Sequence, residues 1–316
     1  MTGRTTLGDI AERRETTGAG LDTRVGLLLI FLSALAWSFG GTIARSVAIE
    51  DNWTVVFWRS GFAAAFLLCF MLWRDGPSGT VKLFRGMGLP GLVVAACFSV
   101  AATSFVVALT YTTVANVVLI QAGVPLLAAL LSWVVFRERV SAPTWAAIAA
   151  VIAGVALMVS ESFTGEVSPI GDGLAVLIAV VFAIATVVTS RYKHVRMIPA
   201  TFVGCVLSAA FAGVQASGLA VSTPELGLLF VFGAVNLGLG FAFFAMGARR
   251  VPAAYAALIG TFEPLLGPVW VWLIHGEVPS VRAIVGGVII FVALLTHIGL
   301  EFARSRPGRP AVGGVQ

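Results

Sequence analysis

Ten apolar runs of about 18 to 24 residues, separated by short polar stretches, leave this chain few ways to fold. They fall at 25–48, 54–73, 88–109, 115–136, 143–160, 171–190, 198–220, 226–247, 252–274 and 282–302. Each is long enough to cross a hydrocarbon layer of roughly 30 Å as an α-helix. The runs are continuous rather than alternating, which argues against the dyad pattern of a membrane β-barrel. Apolar residues make up 59% of the chain and charged residues 11%, and the mean hydropathy is +0.99. A fold of this length in water needs more polar surface than that. The expectation is an all-α membrane protein with ten transmembrane helices, whose short connections hold no inserted soluble domain.

The remaining features fit that frame. Residues 1–24 are polar with no apolar helical face and are predicted to be a disordered tail, and residues 303–316 are expected to form a cytoplasmic tail. Ala34-Leu35-Ala36 resembles a signal-peptidase site, but the apolar run continues to Ile49, so the first span is expected to be uncleaved. The net charge of +5 comes from basic residues in short loops and tails, without a basic stripe interleaved with aromatics, so nucleic acid is excluded as a partner. Cys69, Cys97 and Cys205 lie inside apolar runs, odd in number and without a CxxC pair; they read as packing residues. His194, His275 and His297 are scattered, so no metal is expected, and the absence of GxxxxGK[ST] removes direct ATP drive. No cofactor is expected.

Charge fixes the expected orientation. Arg4, Arg13, Arg14, Arg24, Arg74, Lys82, Arg85, Arg137, Arg139, Arg191, Lys193, Arg196, Arg249, Arg250, Arg304, Arg306 and Arg309 fall on one side of the ten spans, 17 of the 20 Lys and Arg residues. The other side holds Arg282, Arg45 and a set of acids that includes Glu50, Asp51, Glu161, Glu166, Asp172 and Glu225. By the positive-inside rule both termini are cytoplasmic.

The second half repeats the first. At an offset of 139 residues, Ala115, Leu119, Ile120, Pro125, Leu126, Leu127, Trp133, Glu138 and Ser141 meet Ala254, Leu258, Ile259, Pro264, Leu265, Leu266, Trp272, Glu277 and Ser280. Proline, tryptophan and glutamate at common spacing are hard to obtain by chance in apolar sequence. The division is a repeat at 25–160, a linker at 161–170 and a repeat at 171–302. Five spans per unit is an odd number, so the two copies lie inverted across the membrane. Two inverted copies can exchange slightly different conformations and open a central site to each side in turn.

The residues carrying the repeat resemble a known family. Ala115 to Glu138, with AsnValValLeuIleGln, Pro125 and the ArgGluArg end, is similar to the fourth span of EamA-type transporters of the drug/metabolite transporter superfamily. Ala254 to Glu277, with Phe262-Glu263-Pro264 and Gly276-Glu277, is similar to the ninth. Trp58-Arg59 and Trp37 with Arg45 also resemble that family. The resemblance implies a ten-helix inverted-repeat fold with a central cavity, usually in bacterial inner membranes, and often export of metabolites or amino acids.

Several residues stand out as candidate contacts to a substrate or coupling ion. Glu263 lies eleven residues into the ninth run, where burial favours a neutral carboxyl that binds and releases a proton; the alternative is a hydrogen-bonding strut. Gly260 and Gly267 clear space on its face. Pro125 and Pro264 remove the bonds to the carbonyls of Gln121 and Gly260, which makes Pro125, Pro264 and Gly260 hinge candidates, static kinks being the alternative. Gln121 shares a face with Pro125. Ser99 and Thr103 line one face of the third span, Asn236 lies midway along the eighth, and Trp37, Ser38 and Thr42 face inward from the first. Arg59 either draws an anionic group or snorkels to the interface. Phe241, Phe243 and Phe244 are expected to meet lipid. Glu138 and Glu277 end their helices and read as structural.

The expected function is a secondary active transporter of small organic metabolites (amino acids, related compounds or drugs), exporting by alternating access with proton coupling. A passive facilitator or channel, an intramembrane enzyme and a sensor are the alternatives; scattered polar residues count against an enzyme. The partners expected are a small-molecule substrate and the lipid bilayer, and a homodimer is compatible with the sequence.

Overall fold

The computed structural model describes residues 7–138, 140–160, 168–192, 196–251 and 253–304. All of the regular elements among them are helices. Span 1 consists of α1 (Leu7–Ser38) and α2 (Gly40–Ser46), span 2 of α3 (Asn52–Arg85) and span 3 of α4 (Gly88–Ala108). Span 4 is α5 (Val114–Gln121) with α6 (Val124–Phe136), and span 5 is α7 (Ala142–Val159). In the second half, span 6 is α8 (Pro169–Arg191) and span 7 is α9 (Met197–Gln215). Span 8 joins α10 (Thr223–Phe230), a π-helical segment (Val231–Leu239) and α11 (Gly240–Gly247). Span 9 is α12 (Ala253–Gly260) with α13 (Phe262–His275), and span 10 is α14 (Val281–Arg304).

Among the described residues nine of these spans are long and apolar enough to cross a membrane, and α5 with α6, bent by 45°, makes the tenth. Trp73, Leu89, Val214, Leu273 and Val281 are exposed on the outside of the bundle. In water they would be a liability, whereas a bilayer offers them an apolar surrounding, and helices keep most backbone groups bonded within themselves.

The pairing of helices obeys the inverted repeat. Exchanging span n with span n+5 turns the α4–α8 contact into α11–α1, the α4–α9 contact into π segment–α3, and the α6–α8 contact into α13–α1, and all of these are present. The α3–α9 and α7–α14 contacts, each between equivalent spans, map onto themselves. Local geometry repeats as well. Span 4 breaks between Gln121 and Val124 and span 9 between Gly260 and Phe262, at equivalent positions. Each span then ends on a left-handed residue, Arg137 (φ 53°) and Gly276 (φ 69°), again at equivalent positions. Gly276 adopts this cap without a Cβ penalty; Arg137 holds it at some cost. A Cβ added to Gly171 would stand 2.7 Å from Thr112 Cβ, and one added to Gly26 would stand 2.6 Å from Arg250 Cβ. Glycine thus lets the start of spans 1 and 6 press against the loop before spans 9 and 4.

Three segments differ from expectation. The first helix starts at Leu7, so part of the tail expected to be disordered continues span 1; residues 11–15, AERRE, are good helix formers and need no core to extend a turn already nucleated. Residues 1–6, 161–167 of the linker (with Glu161 and Glu166), Lys193, His194, Arg139 and 305–316 lie outside the described residues. Helix α3 runs on past residue 73 to Arg85 through a kink where Gly76 (φ 69°, ψ 173°) precedes Pro77. Span 7 stops at Gln215 rather than 220, because the Ser217 N–H and hydroxyl both donate to Asp51 Oδ2, at 2.8 and 2.9 Å, and draw the chain out of the helix. Cys97 and Cys205 are buried, Cys69 is exposed on α3, and all three are free thiols.

Candidate functional site

Span 1 breaks at Phe39, and the break is held by residues from the other repeat. Asn236, 4% exposed in the π segment, donates from Nδ2 to the Ala36 carbonyl at 2.6 Å and the Trp37 carbonyl at 3.5 Å. The Ser38 hydroxyl donates to the Leu35 carbonyl (2.7 Å) and accepts from Trp270 Nε1 (3.0 Å), while Phe39 stacks on the Trp270 ring at 4.9 Å. Trp37 packs edge-on against Phe241 and lies tilted against Phe244. This corrects the expectation that Phe241 and Phe244 meet lipid: Phe241 is buried and also meets Phe98. The Trp37 Nε1 and Thr42 Oγ1 atoms are buried without a hydrogen-bond partner. Trp37 and Asn236 therefore do come together, with Ser38 and Trp270, around an irregular stretch of backbone, while Thr42 lies further along α2 with its carbonyl 3.0 Å from His275 Nε2. Irregular backbone at membrane depth is tolerated where it is enclosed by protein or lines a cavity.

A second cluster joins spans 2, 3, 7 and 8. The Ser60 hydroxyl donates to Ser208 Oγ at 3.2 Å, and Thr103 Oγ1 lies 2.9 Å from the same atom. Arg59, beside Ser60, is 5% exposed and donates from NH1 to the Ala102 carbonyl at 3.3 Å. Its guanidinium carbon lies 4.3 Å from the Phe232 ring centroid and 5.2 Å from that of Phe105. Arg59 therefore turns inward rather than snorkelling. A Cβ at Gly233 would collide with the Arg59 carbonyl oxygen, so a glycine is required where the π segment crosses α3. That segment carries Phe232 onto Arg59 and Asn236 onto the break in span 1, which ties the two clusters together; π-helical turns are frequent at functional sites. Ser99, one turn before Thr103, is half-buried.

Gln121 and Glu263 do not join these clusters. Gln121 ends α5 and donates from Nε2 to its own Val117 carbonyl at 3.1 Å. Glu263 is half-buried in the first turn of α13 and forms no hydrogen bond with any described residue, which removes support from the strut reading. It shares a helix face with Gly267 and Trp270, the face turned toward α1. Pro125 begins α6 and Pro264 lies in the first turn of α13, so both sit just beyond a break rather than inside a continuous helix.

The end of the bundle poor in Lys and Arg is closed by polar contacts that sequence reasoning did not find. Arg45 Nε pairs with Glu277 Oε2 at 2.8 Å, its NH1 and NH2 donate to the Leu109 and Thr112 carbonyls, and Glu277 Oε1 accepts from the Val114 N–H at 2.7 Å. Asp172, fully buried, accepts from Thr112 Oγ1 (2.9 Å) and Asn116 Nδ2 (3.1 Å). Spans 1, 4, 6 and 9 meet here. Two cavities open beside Arg45. One of about 240 Å³ is lined by Leu109–Thr113 and Ser168; one of about 190 Å³ is lined by Asn52, Val55, Val106 and Thr110 among others. No group of three His, Cys, Asp or Glu side chains placed to hold a metal is found among the described residues.

The comparisons with known proteins agree with this architecture. The sequence model of the EamA-like transporter family matches residues 24–160 and again residues 169–298, once for each five-span unit. A search of curated proteins found no match. Of the solved structures, 16 chains match. One, a crystal structure described only as that of a protein, superposes with a TM-score of 0.58 at 18% identity over 89% of this chain and 99% of the other, a likeness of fold alone. The two family matches cover most of the chain and coincide with the two inverted units seen in the structure, and on that ground this chain belongs to the EamA-like transporter family.

Proposed function

We propose that the protein is a secondary active transporter that moves small organic metabolites outward by alternating access, with proton coupling through Glu263. The observation that carries the reading is the inverted repeat of helix breaks at Gln121–Val124 and Gly260–Phe262, set against a closure formed at one end by Arg45, Glu277 and Asp172. A symmetric pair of hinges with an asymmetric seal is the arrangement expected of a molecule caught in one of two exchangeable states. The two units, 25–160 and 171–302, are the bodies that exchange. Pro125, Pro264 and Gly260 supply the hinges, and Trp37, Thr42, Asn236, Ser99, Thr103 and Gln121 are the candidate contacts to the moving molecule. The setting is a bacterial cytoplasmic membrane with both termini inside, following the distribution of arginine and lysine. A homodimer is compatible with this reading, and the direction of export follows the family likeness.

Reconstitution in proteoliposomes tests the proposal. Labelled amino acids, nucleobases and cationic drugs are offered with and without a pH gradient. Concentrative flux driven by the gradient is expected for at least one class. Flux that only equalises concentrations, whatever the gradient, would identify a passive facilitator.

A further inference from the structure

Arg59 carries a full charge into the protein interior, and among the described residues no carboxylate pairs with it. Among the described residues its one hydrogen bond is to the Ala102 carbonyl, and the three ion pairs, Arg45–Glu277, Arg74–Asp75 and Arg250–Asp22, do not include it. A guanidinium has five N–H donors, so most of its capacity is unspent, and Nε is buried with no partner at all. Desolvating such a group is costly unless something compensates. The Phe232 and Phe105 faces offset part of that cost, but they supply no hydrogen-bond acceptor.

The site is also close to an opening. The cavity of about 190 Å³ has Val55 on α3 and Val106 on α4 among its lining residues. Arg59 follows Val55 by one helical turn, and Ala102 precedes Val106 by one turn. The guanidinium therefore lies one turn beyond the lining formed by those two valines. It is seven residues from the start of α3, roughly 10 Å along the helix. Arg45, Asn52 and Thr110 also line this cavity. Arg45 is already neutralised by Glu277, so among the described residues beside this cavity Arg59 is the cation without a carboxylate, and its fork suits a planar two-oxygen acceptor.

We infer that Arg59 is the anchor for a single carboxylate group of the transported molecule, so that the substrates are small organic carboxylates, amino acids included. The inference rests on the transporter reading above and adds its substrate class. One cation matches one carboxylate; a phosphate ester, with nearly twice the charge, would leave an excess negative charge buried. The Phe105 and Phe232 rings beside the guanidinium favour an apolar or aromatic side chain over a second carboxylate.

The test compares acids with their own amides. Purified protein is heated in detergent with acetate or acetamide, leucine or leucinamide, and sodium chloride, and apparent affinities are taken from the protection each gives. Carboxylates should protect at concentrations at least about tenfold below their amides, since a site built to bond a group rejects the analogue lacking it. Arg59→Gln should shrink that gap to about twofold or less, while Arg59→Lys keeps part of it. Equal protection by acid and amide, protection by chloride equal to that by carboxylates, or a gap that survives Arg59→Gln would overturn the assignment. A second readout needs no change at Arg59. Val106→Cys, in a chain with Cys69, Cys97 and Cys205 replaced, should be shielded from a small thiol reagent by acetate or leucine but not by the amides, and equal shielding by both would again overturn it. Flux assays on the same panel keep the two ideas apart. Acid-selective protection without any flux would leave the Arg59 site standing and remove the transporter reading. Flux of neutral or cationic solutes with no preference for acids would do the reverse.

Discussion

Arg45 Nε lies 2.8 Å from Glu277 Oε2, an ion pair that fastens the end of span 1 in the first repeat to the end of span 9 in the second. The equivalent of Glu277 in the first repeat is Glu138, which is exposed and makes no ion pair among the described residues, while Arg191 at the end of span 6 lies over the Phe136 ring at 5.5 Å. The two repeats thus share a backbone and differ in which end is fastened. Both partners are partly exposed, so the pair contributes about 1 kcal/mol after solvent screening. That is enough to shift a two-state population about fivefold.

Removing the charge on Glu277 should loosen that end. In Glu277→Gln the side chain can still accept from the Val114 N–H but no longer attracts Arg45. A cysteine at Val106, beside the smaller cavity, is expected to react a few-fold faster with a membrane-impermeant thiol reagent than in the parent. An unchanged rate would show that the pair does not hold the bundle shut.

Glu263 is the acid proposed to couple protons to flux. Glu263→Gln mimics the protonated side chain, so pH-driven flux should disappear while exchange of substrate across the membrane continues. Glu263→Asp should keep partial coupling with a shifted pH optimum. Because Glu263 bonds to no described residue, Glu263→Ala should express near the parent level. Parent-like pH-driven flux in the Gln variant would end the coupling role.

The charge distribution predicts sidedness independently of any site. Reporters fused after Arg74, after Arg196 and at the C-terminus should read cytoplasmic, and reporters after Asp51 and Glu225 external. An external C-terminus would contradict the proposed orientation.

Asp51 caps α3 at that same arginine-poor end, accepting from the Trp53 N–H, the Thr54 hydroxyl, and the Ser217 N–H and hydroxyl. Burial alone pushes its carboxyl up, but the bonds from Ser217, Trp53 and Thr54 outweigh it and hold the group below the ordinary aspartate value. A depressed folded value stabilises fully above the unfolded value near ~3.9 and is lost as pH falls through the folded one. Thermal midpoints of the parent and of Asp51→Asn, followed from about pH 6 to about pH 3, should therefore converge at the acid end. At neutral pH the variant should be less stable by about 1 kcal/mol, not because the cap is lost, since asparagine also caps, but because its amide NH2 cannot accept the bonds that one carboxylate oxygen now takes. A constant difference at all pH values would assign the effect to packing.

The sequence by itself determined the number of spans, their limits within a few residues apart from the start of span 1 and the ends of spans 2 and 7, the inverted repeat and the places where spans 4 and 9 break. Hydrocarbon imposes these: a span must be a helix of fixed length with its own backbone bonded, so length, charge and proline are read locally. Tertiary structure decided which polar groups meet. Asn236 reaches the carbonyls of Ala36 and Trp37, Ser208 joins Ser60 to Thr103, and Glu277 finds Arg45, each across more than a hundred residues. It also decided that Phe241 is buried and Trp73 is not. In a bilayer a side chain facing lipid and one facing protein are equally apolar, so the hydrophobic contrast that marks an inner face in a soluble protein is absent, and only the packed helices distinguish the two.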